Sequence, residues 1–283
     1  MDSAPIPKLA AIHDLSCVGR AALTVVIPIL STMGIQVCPL PTAVLSTHGR
    51  FPNYHFIDLT EELEHLIAHW QALGICFDGI YSGFLGSAQQ VGIMSAFIRQ
   101  FSQDKQLVVI DPVLGDHGKV YGVTDHKLVQ AMRQYIGLAH VITPNLTEAA
   151  LLLDEPYREH LDEITAKNWA QRLSEKGPEI VILTSVVDPR HPTQIATLAY
   201  HRGKEEFWKV TSETIPAHFP GTGDVFTSVI TGSLLQGTQP SVAVERAVQF
   251  LAKAIAATVE QHTSEREGLA LEAVLQVLIS DTY

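Results

Sequence analysis

The chain has 283 residues, 46% hydrophobic and 17% charged, with a formal net charge of −11. That length suits one α/β domain with a sizeable core, and the acidic balance argues against a nucleic-acid or anionic-membrane partner, since either needs a basic footprint. Three widely spaced cysteines, Cys17, Cys38 and Cys76, show neither zinc spacing nor a disulfide framework, and MDSAPIPKLAAIHDLS carries no long apolar run or basic start. A reducing, cytoplasmic location with no leader and no membrane span is expected.

In chain order, Lys8 to His13 reads as a buried strand that breaks into a polar loop, Asp14 to Arg20. Ala21 to Met33 is apolar at helical spacing and is closed by Gly34. Ile35 to Leu40 reads as a second strand, with a separate short apolar piece, Ala43 to Leu45, before the polar loop Ser46 to Phe51. Asp58-Leu59-Thr60-Glu61 has the capping-box pattern, and Leu63, Leu66, Ile67, Trp70 and Leu73 then line one helical face that stops at Gly74. His65 and His69 stand at i, i+4, but without the glutamate of a helical zinc motif they read as a solvated face. Gly79 to Gly83 is strand-like, Val91 to Phe101 helical, and Leu107 to Ile110 a β-branched strand. His140 to Ile142 is another strand, Trp169 to Lys176 a helix, and Ile180 to Leu183 the next strand. Thr193 to Tyr200 and Glu205 to Thr211 flank a turn as a hairpin, and Val242 to Val259 is a packed helix.

Strand, loop and helix alternate at least five times, which implies parallel strands with right-handed crossovers in a layered α/β sheet. Ligands of such sheets sit at the carboxyl ends of the strands. Asp14, Thr47, Asp111, Thr143, Thr184 and Gly221 each come just after a strand or short apolar run. No internal repeat or interdomain linker is present, so residues 1–283 are expected to form a single domain.

The most informative stretch is Phe219-Pro220-Gly221-Thr222-Gly223-Asp224-Val225-Phe226, where two glycines run into an apolar helical segment, Val225 to Leu235. Main-chain N–H groups at a helix start bind anions, and glycine permits their close approach. An acid there repels a merely bound phosphate. It suits a base that takes a hydroxyl proton while the amides of Gly221, Thr222 and Gly223 steady a transferring phosphoryl group. The plainer alternative is a helix start whose dipole Asp224 complements. Asp111, Asp116 and Glu148 are acids after two different strands, and magnesium with nucleotide phosphates would supply their counter-charge. A turn before Pro112 and a helix cap at Glu148 are the alternatives. No Gly-x4-Gly-Lys-Ser/Thr, no Gly-x-Gly-x-x-Gly after the first strand and no Gly-x-Ser-x-Gly occurs, which disfavours P-loop, dinucleotide and hydrolase chemistry. His13 reads as a satisfied core histidine, with support of a neighbouring site group as the alternative.

DPVLGDHGKVYG (111–122), TPNLTEAALLL (143–153), LTS (183–185) and PGTGDVF (220–226), in this order, resemble the ribokinase-like superfamily, and within it the pyridoxal kinase branch. The Leu45-Ser46-Thr47-His48 segment and Ser82 to Ser87 are similar to that branch's vitamin pocket. The resemblance implies a three-layer α/β/α fold with a central, mostly parallel sheet and a small lid. It implies ATP-dependent phosphorylation of the 5′-hydroxymethyl of a B6 vitamer, with Asp224 as base and Gly221 to Gly223 as anion hole. Asp111, Asp116 and Glu148 would organise Mg²⁺ and the phosphates, Thr143 and Thr184 would touch the nucleotide, and Thr222 its phosphates. Asp14 or Ser16, Thr47, Phe84 and Tyr121 would meet the substrate, and Asp116 to Tyr121 would form the lid. The same resemblance implies a homodimer and leaves K⁺ activation open. A hydroxymethylpyrimidine kinase, a sugar kinase and a non-catalytic vitamin-binding protein are the rival readings.

Overall fold

Lys8–Ser16 forms β1, in which Leu9, Ala10, Ala11 and Ile12 are completely buried. An unbroken apolar run of this kind is what a strand covered on both faces requires. The computed structural model describes residues 5–215 and 218–279, so the first four residues of the N-terminal stretch considered above lie outside it. After β1 come α1 (Leu23–Thr32), β2 (Gln36–Leu45), β3 (Phe56–Asp58), α2 (Thr60–Ala72), β4 (Gly79–Ser82), α3 (Ala88–Gln100) and β5 (Leu107–Ile110). The chain continues through β6 (Gly115–Asp116), β7 (Lys119–Val120), α4 (His126–Tyr135), β8 (Val141–Ile142), α5 (Leu146–Leu153), α6 (Glu163–Ser174) and β9 (Ile180–Val186). β10 (Gln194–His201) and β11 (Glu206–Glu213) form the expected hairpin, followed by α7 (Thr222–Leu235), α8 (Pro240–Glu260) and α9 (Gln276–Ile279).

Several boundaries differ from the sequence reading, each for a local reason. Asp14, Leu15 and Ser16 continue β1 rather than opening a loop, because Leu15 and Ser16 still pair with Val44 and Leu45. The two apolar pieces 35–40 and 43–45 are one strand despite Pro39 and Pro41. The Gln36 N–H donates to Pro7 O on the β1 side, so alternate residues, Pro39 and Pro41 among them, turn their nitrogens the other way. On that side β3 begins to pair only at Ala43, and no ladder bond is lost. Asp58 ends β3 instead of capping α2; its Oδ1 accepts the Thr60 N–H at 2.8 Å while Leu59 holds the cap position. Finally, β9 runs to Val186 and so includes Thr184, and α6 begins at Glu163, capped by the Asp162 carboxylate at Thr165 N.

The chain divides into two compact units. One comprises Met1–Tyr81, Phe101–Leu107 and Ala217–Tyr283. In it β1 and β2 pair in parallel and β3 adds antiparallel to β2. Helix α1 packs on α7, and α7 on α8. Gly232 makes the first of these contacts close, since a Cβ there would lie 2.5 Å from Met33 Sδ. The other unit comprises Ser82–Gln100 and Val108–Pro216. Here β5, β8 and β9 are parallel, with β10 and β11 antiparallel beyond β9, and α6 covers β9 and β10. All three cysteines are free. Among the described residues no helix is long and apolar enough to cross a membrane.

Candidate active site

In the first unit, the end of β1 and the first turn of α7 share a chain of polar contacts. His13, 3% exposed, places Nε2 3.0 Å from Asp224 Oδ1 and Nδ1 2.9 Å from Asp14 Oδ1. Asp14 Oδ2 in turn accepts from Ser16 Oγ at 2.9 Å. The second oxygen of Asp224, Oδ2, accepts the Ala22 N–H at 2.7 Å. Both oxygens of Asp224 are therefore held from outside its own helix. Ala22 adopts φ 55, ψ −134, a region that residues with a β-carbon avoid, and this strain aims its N–H at the carboxylate.

Burial works against a charged His13. The Asp224 carboxylate, with hydrogen bonds to Asp14 and Asp224, outweighs it and pushes the imidazole up to about 10. Burial likewise opposes ionisation of Asp224, but the His13 charge and the Ala22 N–H hold its carboxyl below the usual range. Asp14 N also lies 3.0 Å from His13 Nδ1. A cationic ring donates from that nitrogen, so the Asp14 carboxylate is its partner.

Gly221 is the N-cap of α7 at φ 80, and no side chain caps the helix. The first-turn amides are thus left for an external acceptor. Thr222, Gly223 and Asp224 lie inside the helix rather than in the irregular lead-in expected from sequence. On the loop after β2, Thr47 Oγ1 is buried with no hydrogen-bond partner among the described residues, and His48 Nε2 bonds Arg266 O at 2.7 Å.

In the second unit, Asp111 follows β5 and is 6% exposed, and Glu148 lies in the first turn of α5 at 3% exposure. Glu148 Oε2 accepts Asn145 N at 2.9 Å as half of a true capping box, while Oε1 accepts Leu114 N at 3.1 Å. Burial first, then the Asp111 charge and more weakly that of Asp116, nonetheless push the Glu148 carboxyl well above its usual range. Asp116 Oδ1 accepts the N–H of His117 within its own hairpin. The segment that the resemblance implies as a lid folds as the β6–β7 hairpin, turning at His117 and Gly118, both with positive φ. It is stitched to α5 by Gly118 N to Thr147 Oγ1 and Asn145 Nδ2 to Gly115 O, each 2.9 Å. Tyr121 is exposed just beyond it, and Phe84 is half-buried after β4. Thr143 is buried after β8; Thr184, in β9, donates its N–H to Pro144 O at 3.0 Å. Among the described residues no group of three or more His, Cys, Asp or Glu forms a metal cage.

Sequence reasoning gave His13 a supporting role only as its second reading, and it missed Ala22. Adjacent strand residues point to opposite faces, so His13 and Asp14 should not share partners. The pairing of β1 with β2 shifts register between His13 and Leu15, and the irregularity falls at the residues that meet. The Ala22 contribution comes through its main chain, which side-chain pattern does not reveal.

This α/β framework, with an acid at an uncapped amide-rich helix start, defines an enzyme of the ribokinase-like class. Residues 62–267 match the phosphomethylpyrimidine kinase family. The chain belongs to that family, and its relatives put it with the pyridoxal kinases. It is 30% identical to a pyridoxine/pyridoxal/pyridoxamine kinase of Bordetella avium over 85% of this chain and 81% of that protein. Among solved structures, a pyridoxal kinase of Lactobacillus plantarum is 33% identical, with 98% of each chain covered and a TM-score of 0.89. A Bacteroides thetaiotaomicron protein, provisionally assigned as a phosphomethylpyrimidine kinase and crystallised with pyridoxal, is 51% identical. The match covers 97% of this chain and 96% of that one at a TM-score of 0.94.

Proposed function

We propose that the protein transfers the γ-phosphoryl group of ATP to the 5′-hydroxymethyl of pyridoxal, pyridoxamine or pyridoxine, restoring the 5′-phosphate. The observation that carries this is Asp224, fixed through both oxygens at the open start of α7. Asp224 takes the hydroxyl proton, and the amides of Gly221, Thr222 and Gly223 stabilise charge on the phosphoryl oxygens. Asp14 and Ser16, joined to each other, serve the vitamin ring; the unpartnered Thr47 hydroxyl suits one of its polar substituents. Phe84 and Tyr121 complete the substrate contacts. Thr143 and Thr184 serve the nucleotide.

Asp111 and Glu148 are buried acids, the Asp111 charge adds to the cost of ionising Glu148, and such a donor set fits a divalent cation. Mg²⁺ would neutralise phosphate charge, with Asp111, Asp116 and Glu148 holding it directly or through water. Glu148→Gln is expected to raise the Mg²⁺ concentration for half-maximal rate about tenfold, as loss of one outer partner does at metal sites. An unchanged Mg²⁺ titration removes Glu148 from that role. The working form is taken as a cytoplasmic homodimer of single kinase domains spanning 1–283.

The family description favours one second reading, a hydroxymethylpyrimidine kinase, with Asp224 in the same role. Coupled ADP release with pyridoxal, pyridoxamine, pyridoxine, hydroxymethylpyrimidine and ribose decides between them. The expected result is kcat/KM on a B6 vitamer well above that on the pyrimidine. The reverse order would transfer the protein to the second reading, and silence on all five would defeat both.

A further inference from the structure

We propose that His13 is the positioning residue for Asp224: an imidazolium clamped between Asp14 and Asp224 that keeps the base ionised and aimed at the acceptor hydroxyl. The inference rests on the reading of Asp224 as the base. Its geometry stands independently of it, because the ring is buried, each nitrogen meets a carboxylate oxygen within 3.0 Å, and the far end of the chain is the Ser16 hydroxyl. A core histidine kept for packing would meet neutral partners or the main chain, and would have no reason to lie between two acids.

The groups that face this clamp come from four elements. Asp14 is on β1 and Asp224 on α7. Tyr81 of β4 stands edge-on to the ring, with centroids 6.3 Å apart. His48, on the loop after β2, adds its positive charge to the Asp224 site when protonated. Two negative charges thus flank one positive ring. Removing the ring charge leaves Asp224 buried beside Asp14 with much less to hold it ionised. The clamp also runs from residues assigned to the vitamin ring to the base, so a substrate that engages Asp14 acts on the group that anchors Asp224.

Two substitutions separate charge from reach. His13→Gln keeps an N–H donor near the Nε2 position but carries no charge; His13→Asn does so near Nδ1 and no longer reaches Asp224. With His13→Gln, the acid limb of the kcat/KM profile is expected to move up by about one pH unit or more, with kcat largely retained on the alkaline side. With His13→Asn, kcat falls across the whole range. Specific ¹³C labelling of histidine supplies a readout that needs no substrate. The His13 signal of the wild type is expected to remain cationic through about pH 8 and to titrate at least about one unit lower in Asp224→Asn. By linkage, the folded-state pKa is the higher one, so the clamp stabilises fully below the ordinary imidazole pKa. That stability is lost as pH rises through about 10. The urea midpoint of the wild type should fall over this window more than that of His13→Gln. A wild-type His13 signal already neutral near about pH 7, or an acid limb unmoved in His13→Gln, would overturn the clamp. Failure of the functional reading shows differently, as a wild type inactive on every acceptor whose His13 still titrates as stated.

Discussion

Asp224→Asn is expected to lower kcat by a factor of about 10²–10⁴ with little change in KM for ATP. Asparagine fills the same volume and can still accept the Ala22 N–H, so the α7 start should keep its shape. It cannot take the hydroxyl proton. It also withdraws one of the two carboxylates that hold His13 charged, so the imidazole returns towards its ordinary range. Single-turnover phosphorylation at saturating ATP, with a binding measurement for the vitamer alongside, tests this. Survival of kcat within about tenfold would show that Asp224 is not the base.

Gly221→Ala should be the most damaging of the conservative changes to the fold near the site. The residue sits at φ 80, and a Cβ would lie 2.5 Å from the carbonyl oxygen of Arg20, a main-chain atom that cannot rotate aside. Gly34→Ala is the matched control, since Gly34 has φ 77 with nothing within 4 Å of its Cβ position. The control should cost only the left-handed penalty of about 1–2 kcal/mol. Gly221→Ala adds an overpacking cost of about 1–3 kcal/mol. It also displaces the amides of the anion hole, so kcat should fall with stability. Urea midpoints of the two variants give the comparison directly. Equal losses would mean that the approach to Arg20 carries no cost.

Much of this molecule could be read in its residues, because the informative features were local. The β-branched run before Asp111, the glycines that end helices and the Gly-x-Gly-Asp entry to α7 each act within a few positions of themselves. Glu148 shows how two readings can coexist: it does cap α5 with Asn145, as the plainer alternative had it, and it is also a buried acid beside Asp111. What escaped depended on distant partners. Asp14 to Ser16 looked like a loop because they open a largely polar stretch, yet the pairing with Val44 and Leu45 is made by the main chain. The pieces 35–40 and 43–45 read as separate, since nothing in the sequence tells which side of β2 lacks a neighbour. His13 read first as a core histidine because Asp224 stands 211 positions away.

The carbonyl of Arg20 is approached from two directions, by Gly221 and by Gly268, each of which would place a Cβ 2.5 Å from it. Arg20 also donates its N–H to Glu267 O at 2.9 Å, and its guanidinium pairs with Glu272. Three stretches that are remote in the gene therefore share one small volume of backbone. A longer turn after β1 is therefore expected to need a remodelled segment around 267–268, with glycine kept at 221. Replacement of any one of the three by its counterpart from a relative with a longer turn should fail, whereas transplanting all three together should succeed.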